Sequence, residues 1–191
     1  MKRRNLIKAA TAAGVLGTCA SFGHSQQEGK NMKSNMLVIG ADPFAVDLKD
    51  DIAAYLKEKK LKFVDVGTIK DKNEVAYYDV AVAAAKKIQT GEAERGILFC
   101  GSGMGMSVVA NKFSGVVASV VESVYAAELC RAINDSNVLC MGAMLNAPWK
   151  ARQMVNAWLT TKHTKGLEQF SDFLKQAVKE VDAIDNSQRK S

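Results

Sequence analysis

A cysteine and a serine stand where an apolar run gives way to alternating glycines: Gly96-Ile97-Leu98-Phe99 leads into Cys100-Gly101-Ser102-Gly103-Met104-Gly105-Met106. A thiolate is a base and a nucleophile, and glycines at every second position allow positive φ and close approach of backbone to a ligand. If the apolar run is a strand and the glycines open a helix, bare N–H groups there attract oxyanions. Cys100 then occupies a strand tip with Ser102 beside it, and main chain grips a small polar substrate while the thiolate works on it. The plainer reading of Cys100 is a small residue at a crowded strand end, and that of Ser102 a helix N-cap, which is compatible with function. Gly101-x-Gly103, with Glu122 some twenty residues on, also suggests dinucleotide binding. Met106 stands where that fingerprint needs glycine or alanine, and the turn follows the third strand rather than the first.

The elements that must position these groups alternate regularly. Residues 36–39 form a short apolar run ending at Gly40-Ala41-Asp42, and the Leu48, Ile52, Leu56 spacing behind it is helical. A second strand is read at 62–66, a polar loop at 71–74 and an alanine-rich helix at 75–88. Strand, helix, strand, helix and strand follow at 97–99, 105–112, 116–121, 124–132 and 138–141, before two amphipathic helices at 147–159 and 167–184. Alternating β and α elements with uninterrupted apolar strands imply a five-stranded parallel sheet covered on both faces, a three-layer Rossmann-like sandwich.

Composition narrows the functional classes. Lys2, Arg3, Arg4 and Lys8 supply four of the 26 cationic residues, so the rest of the chain stands at 22 against 20 acidic. No basic stripe interleaved with aromatics remains, which argues against nucleic acid. Residues 1–25 read as an export signal, with a basic start, an apolar segment at 9–16 and small polar residues at 21–25. Arg3-Arg4-Asn5-Leu6-Ile7-Lys8 resembles the twin-arginine motif, and a periplasmic location is expected. Leu16-Gly17-Thr18-Cys19 offers a lipoprotein site as an alternative, the one route to a membrane. A basic N-terminus on a cytosolic protein is the plain alternative. Residues 26–35 read as a linker, 36–185 as the domain and 186–191 as a frayed tail. Cys130 and Cys140 fall at buried helix and strand positions, and no Cys/His spacing suggests a metal site.

From Met36 to about Ile184 the chain resembles the ribose-5-phosphate isomerase type B family, which includes the galactose-6-phosphate isomerase subunits. The resemblance rests on Cys100 to Met106 with Ala110-Asn111-Lys112, on Asn134 to Leu139 followed by Gly142-Ala143, and on Asp42, Asp47-Leu48-Lys49, Gly67-Thr68 and Ala157-Trp158-Leu159 in order. It implies aldose–ketose interconversion through an enediolate, without a cofactor. Cys100 is then the base, Ser102 assists proton transfer between oxygens, and the amides of Gly101, Gly103, Met104 and Gly105 hold the enediolate charge. Asp42, Tyr77 and Asn134 are the implied sugar contacts, and a homodimer or dimer of dimers sharing its sites is the implied assembly. Several expected groups are replaced. Pro43 and Ile133 stand at the two histidine positions, and Met144, Leu167 and Ser171 stand where the phosphate-binding arginines belong. Lys150, Arg152, Lys162 and Lys165 lie nearby as substitutes or as plain surface charge. A charge-assisted hydrogen bond is worth about 1.5–3 kcal/mol, so a phosphate ester would bind orders of magnitude more weakly here. The expectation is an isomerase for an unphosphorylated or modified sugar, or alternatively a catalytically silent carbohydrate-binding protein on the same fold.

Overall fold

The structure, a computed structural model, describes residues 35–188. The segment read as an export signal, Cys19 and nearly all of the segment read as a linker lie outside them. Five parallel strands, β1 (Leu37–Ala41), β2 (Phe63–Asp65), β3 (Arg95–Cys100), β4 (Ala118–Val120) and β5 (Val138–Gly142), form one sheet in the order β2-β1-β3-β5-β4. The connecting helices are α1 (Val46–Glu58), α2 (Tyr77–Gln89), α3 (Met104–Ala110) and α4 (Val124–Asn134). After β5 come α5 (Pro148–Thr160) and α6 (Ser171–Gln188). This is the five-stranded, doubly covered sandwich that the alternating pattern implies.

The period-two alternation of each strand divides the core between the two faces. Ile39, Phe99 and Met141 meet Ile52 of α1, Cys130 of α4 and Trp158 of α5 on one face. Val38, Leu98 and Cys140 meet Val80 and Ala84 of α2 and Met106 of α3 on the other. The small residues of α2 let that helix lie close to the sheet. Cys130 and Cys140 are buried free thiols in these clusters, and burial pushes both thiols up in pKa.

Strand order sets the place for a ligand. From β1 the chain goes to β2 on one side and then to β3 on the other, so the crevice beyond the carboxyl ends of β1 and β3 is the topological switch point. Register puts Ala41 beside Phe99, and Cys100 beside Gly142 of β5. Asp42, Cys100 and the end of β5 therefore converge.

A buried cation fixes the rim of this crevice. Lys49 of α1, 1% exposed, donates to a carboxylate oxygen of Asp65 and to the carbonyl of Thr68 at 2.8 Å, and pairs with Asp50 at 3.0 Å. The other Asp65 oxygen accepts from the Gly67 amide, and the Thr68 amide donates to Ala41 O at 2.8 Å. Lys49 thus ties the segment after β2 to the residue that precedes Asp42.

Two expectations about the chain's C-terminal part are corrected. The last helix does not begin at 167: a turn through Gly166, φ 75°, and a 3-10 turn at Glu168–Phe170 intervene, and α6 starts at Ser171. The tail expected from 186 is helical as far as Gln188.

Candidate active site

Cys100 is the last residue of β3, and 6% of its surface is exposed. Its Sγ accepts a hydrogen bond from the Gly103 amide at 3.1 Å, so a main-chain donor sits where negative charge on sulfur needs one. Gly103 itself has φ 80°, the left-handed conformation that side chains resist, and a Cβ there would come within 2.9 Å of the Met141 carbonyl carbon. The loop is pinned to β5 by Ala143 N–H to Cys100 O at 2.9 Å and Met144 N–H to Gly101 O at 3.0 Å. Gly142 lies so close under Ser102 that a Cβ there would reach its Cα at 2.7 Å.

Ser102 has its hydroxyl oxygen 3.3 Å from the Met104 amide, which donates to it. The N-cap of α3 is Gly103, without a side-chain cap, so Ser102 does not take the N-cap role; its hydroxyl proton remains available to a ligand. Met104 is exposed and opens α3, while Gly105, in the first turn, faces Tyr77. The Tyr77 ring packs against that glycine, because a Cβ at 105 would approach its Cε2 to 2.8 Å. Tyr78 stacks edge-on against Tyr77 with centroids 5.3 Å apart and stays half exposed. So α2 delivers an aromatic ring to the start of α3, at the loop that carries Cys100.

Asp42 follows β1, and its carboxylate accepts from the Ala45 amide at 3.1 Å, capping a 3-10 turn at Pro43–Ala45. Burial pushes this carboxyl above its ordinary range, opposed by the Ala45 and Phe44 amides. Phe44, carried outward on the turn, and Met144, after β5, both come near Gly101: a Cβ there would meet Met144 Sδ at 3.4 Å and Phe44 Cδ1 at 3.7 Å. Both side chains are largely exposed, so the rim of the crevice is apolar on this side.

Six of the expected contacts, Asp42, Tyr77, Gly101, Gly103, Met104 and Gly105, therefore gather around Cys100 and Ser102. Asn134 does not join them within one chain. It ends α4 and precedes β5, whose first residue pairs with Gly96 near the start of β3. The strand rise then separates it from Cys100 by on the order of 15 Å. Its neighbour Asp135 adopts φ 51° and pairs with Arg131 at 2.8 Å, which is the turn-shaping role open to that dipeptide.

Of the nearby cations, Arg152 is committed to Asp51 by two hydrogen bonds at 2.8 and 2.6 Å, and Lys150 donates to Leu145 O. Lys162 and Lys165 are exposed in the turn that follows α5. Sequence reasoning missed the apolar rim at Phe44 and a groove of about 390 Å³ beside Pro43, lined by Thr68, Ile69, Lys70, Lys72 and Asn73 among others. Lys70 there is paired with Asp47 at 2.8 Å. The signal for this groove was the polar run 71–74, read as a loop and nothing more.

Comparison with known proteins places this geometry in context. The ribose/galactose isomerase family profile matches residues 37–173. The chain is 46% identical over 152 residues to the 4-deoxy-4-sulfo-D-erythrose isomerase of Clostridium sp. (strain MSTE9), covering 79% of this chain and 96% of that protein. It is 38% identical over 130 residues to the D-erythrulose-4-phosphate isomerase of Pectobacterium atrosepticum, covering 68% and 86%. The solved ribose-5-phosphate isomerase B of Clostridium thermocellum superposes with a TM-score of 0.73 at 31% identity, over 80% of this chain and 99% of that one.

Proposed function

This chain belongs to the ribose/galactose isomerase family, and from that premise we propose that it interconverts an aldose and a ketose through an enediolate, on a sugar that is modified rather than phosphorylated. The observation that carries the reading is Cys100 Sγ at the sheet's switch point, under the Gly103 amide, with a glycine-rich main-chain loop after it and Asp42 at the end of the neighbouring strand.

The Cys100 thiolate takes the proton from the carbon next to the aldehyde. Negative charge then develops on the former carbonyl oxygen, where the amides of residues 101–105 await it without reorganisation. Ser102 passes a proton between the two oxygens, and Cys100 returns its proton to the neighbouring carbon. Asp42 accepts from a sugar hydroxyl, which favours a burial that water alone would not reward. The Tyr77 ring bounds the crevice from α2.

An unphosphorylated substrate is supported by Met144, Leu167 and Ser171 at the arginine positions and by the commitment of Arg152 to Asp51. A sulfonate, as in the name of the Clostridium relative, carries one negative charge where a phosphate ester carries nearly two. It therefore asks less of a crevice with few free cations. The test is incubation of free, sulfonated and phosphorylated sugars in deuterated water with wild type and Cys100→Ala. The reading expects carbon-bound deuterium from wild type alone. Saturable binding without exchange would instead make the protein a silent carbohydrate binder.

The same reading pairs two copies, so that Asn134 of one reaches Cys100 of the other. Support comes from an apolar groove of about 150 Å³ between the end of α4 and α6, lined by Ile133, Asn134, Phe173 and Val181 among others. Phe173, Val181 and Ile184 are left exposed along α6. Export completes the proposal: the first eight residues argue for twin-arginine transport, and an Arg3→Lys, Arg4→Lys double variant should then accumulate in the cytoplasmic fraction.

A further inference from the structure

Resting on the isomerase reading above, we propose that the substrates are sugars with no ring to open: acyclic four-carbon aldoses whose C4 bears a group other than hydroxyl. Opening a cyclic sugar requires a proton delivered to the ring oxygen and another removed from the anomeric hydroxyl as the C1–O bond breaks. Near neutral pH that work suits an imidazole. Among the described residues the one histidine is His163. It follows α5 in a segment tied to the end of α4 by Thr164 N–H to Ala132 O at 2.9 Å, at the end of the sheet away from Cys100. Its Nε2 is enclosed by protein and has no hydrogen-bond partner.

The groups that do stand at the crevice include no imidazole. Pro43, next to Asp42, carries no titratable proton, and one Asp42 oxygen is taken by the Ala45 amide while the other is assigned above to a sugar hydroxyl. Phe44 and Met144 make the rim near Gly101 apolar. Cys100 and Ser102 are already assigned to the carbon-bound proton and the oxygen-bound one.

The names of the two relatives fit this chemistry independently. One acts on a 4-deoxy-4-sulfo tetrose and the other on a tetrulose 4-phosphate. The acids differ and the hosts differ, yet in both sugars C4 has no free hydroxyl and no five-membered ring can close. The shared property is the open chain rather than the acid.

The deciding experiment uses two matched pairs with the full chain. D-erythrose closes a furanose through its 4-hydroxyl, and 4-deoxy-D-erythrose differs in lacking that oxygen. Ribose 5-phosphate and erythrose 4-phosphate give the same contrast with a charge present. Ketose formation is followed as enzyme is doubled repeatedly. In whichever pair is turned over, each doubling should double the rate on the acyclic sugar. The rate on the ring-forming sugar should be absent or level off at the rate of uncatalysed ring opening. A ring-forming sugar whose rate keeps doubling past that limit overturns the proposal, whether the proton comes from Asp42 or from a second copy's His163. Absence of solvent deuterium from all four sugars and from 4-deoxy-4-sulfo-D-erythrose would be a different failure, that of the isomerase reading itself.

Discussion

Cys100 and Asp42 stand at the neighbouring ends of β3 and β1, and their substitutions separate chemistry from folding. On the mechanism proposed above, Cys100→Ala removes the base from a site that is otherwise intact. General-base contributions of about 10²–10⁴-fold set the expected loss in kcat, read by ketose formation, with the melting temperature little changed. Asp42 makes the opposite case. Its carboxyl is raised by burial, so at neutral pH the folded state bears the cost of an ionised group, and that cost is relieved as the pH falls toward the folded-state pKa. Asp42→Asn keeps an oxygen for the Ala45 amide and discards the charge. It should melt no lower than wild type at neutral pH while kcat/KM falls, and its advantage in melting temperature should shrink on acidification. A variant that melts lower at neutral pH would mean that the carboxylate serves the fold first.

At the level of elements, three glycines divide geometry from strain. Gly103 and Gly115 both have positive φ, but a Cβ at 103 strikes the Met141 backbone whereas one at 115 meets nothing within 4 Å. Gly115→Ala should cost only the left-handed penalty of about 1–2 kcal/mol. Gly103→Ala should add an overpacking cost of about 1–3 kcal/mol and move the amide that faces Cys100, so denaturant melts and activity should both suffer. Gly105→Ala should instead displace the Tyr77 ring, raising KM more than it lowers stability. Between α1 and α5, Arg152 holds the Asp51 carboxyl below its usual range. That pair therefore stabilises above the ordinary carboxylate pKa and loses its effect as the pH falls through the lower folded value. The melting-temperature gap between wild type and Asp51→Asn should close in acid. These elements were legible to different degrees, for physical reasons. The core of β3 and β5 is apolar on both faces, so Leu98 and Leu139 read as strand from sequence alone. The positions of Cys100 and Ser102 at a strand tip before a helix were readable because turn chemistry is local, whereas Asp42 was singled out through the family resemblance. Phe44 was not, since nothing local says that a 3-10 turn will carry it to Gly101. The short edge strand β2 came out two residues shorter than read, because its half-buried side chains give a weak periodic signal. The start of α6 was misread because amphipathic spacing continues through the turn that Gly166 makes.

Over the whole molecule, the separation of Asn134 from Cys100 makes assembly a statement about chemistry. If each site takes Asn134 from a second copy, the Cys100 and the Asn134 of any one site come from different chains. Phe173→Glu, placed on the apolar face of α6, should shift sedimentation toward monomer and lower kcat in step with the loss of dimer. Complementation gives the sharper result. Cys100→Ala and Asn134→Ala homodimers should each be nearly inactive. Unfolded together and refolded in equal amounts, half of the dimers become mixed, and each mixed dimer rebuilds one complete site from the intact Cys100 of one chain and the intact Asn134 of the other. Twofold symmetry then sets recovery at about a quarter of wild-type turnover. A mixture no more active than its components would place both residues in one chain's site or leave Asn134 out of the chemistry, and the turn made by Asp135 would then be the whole of that segment's purpose.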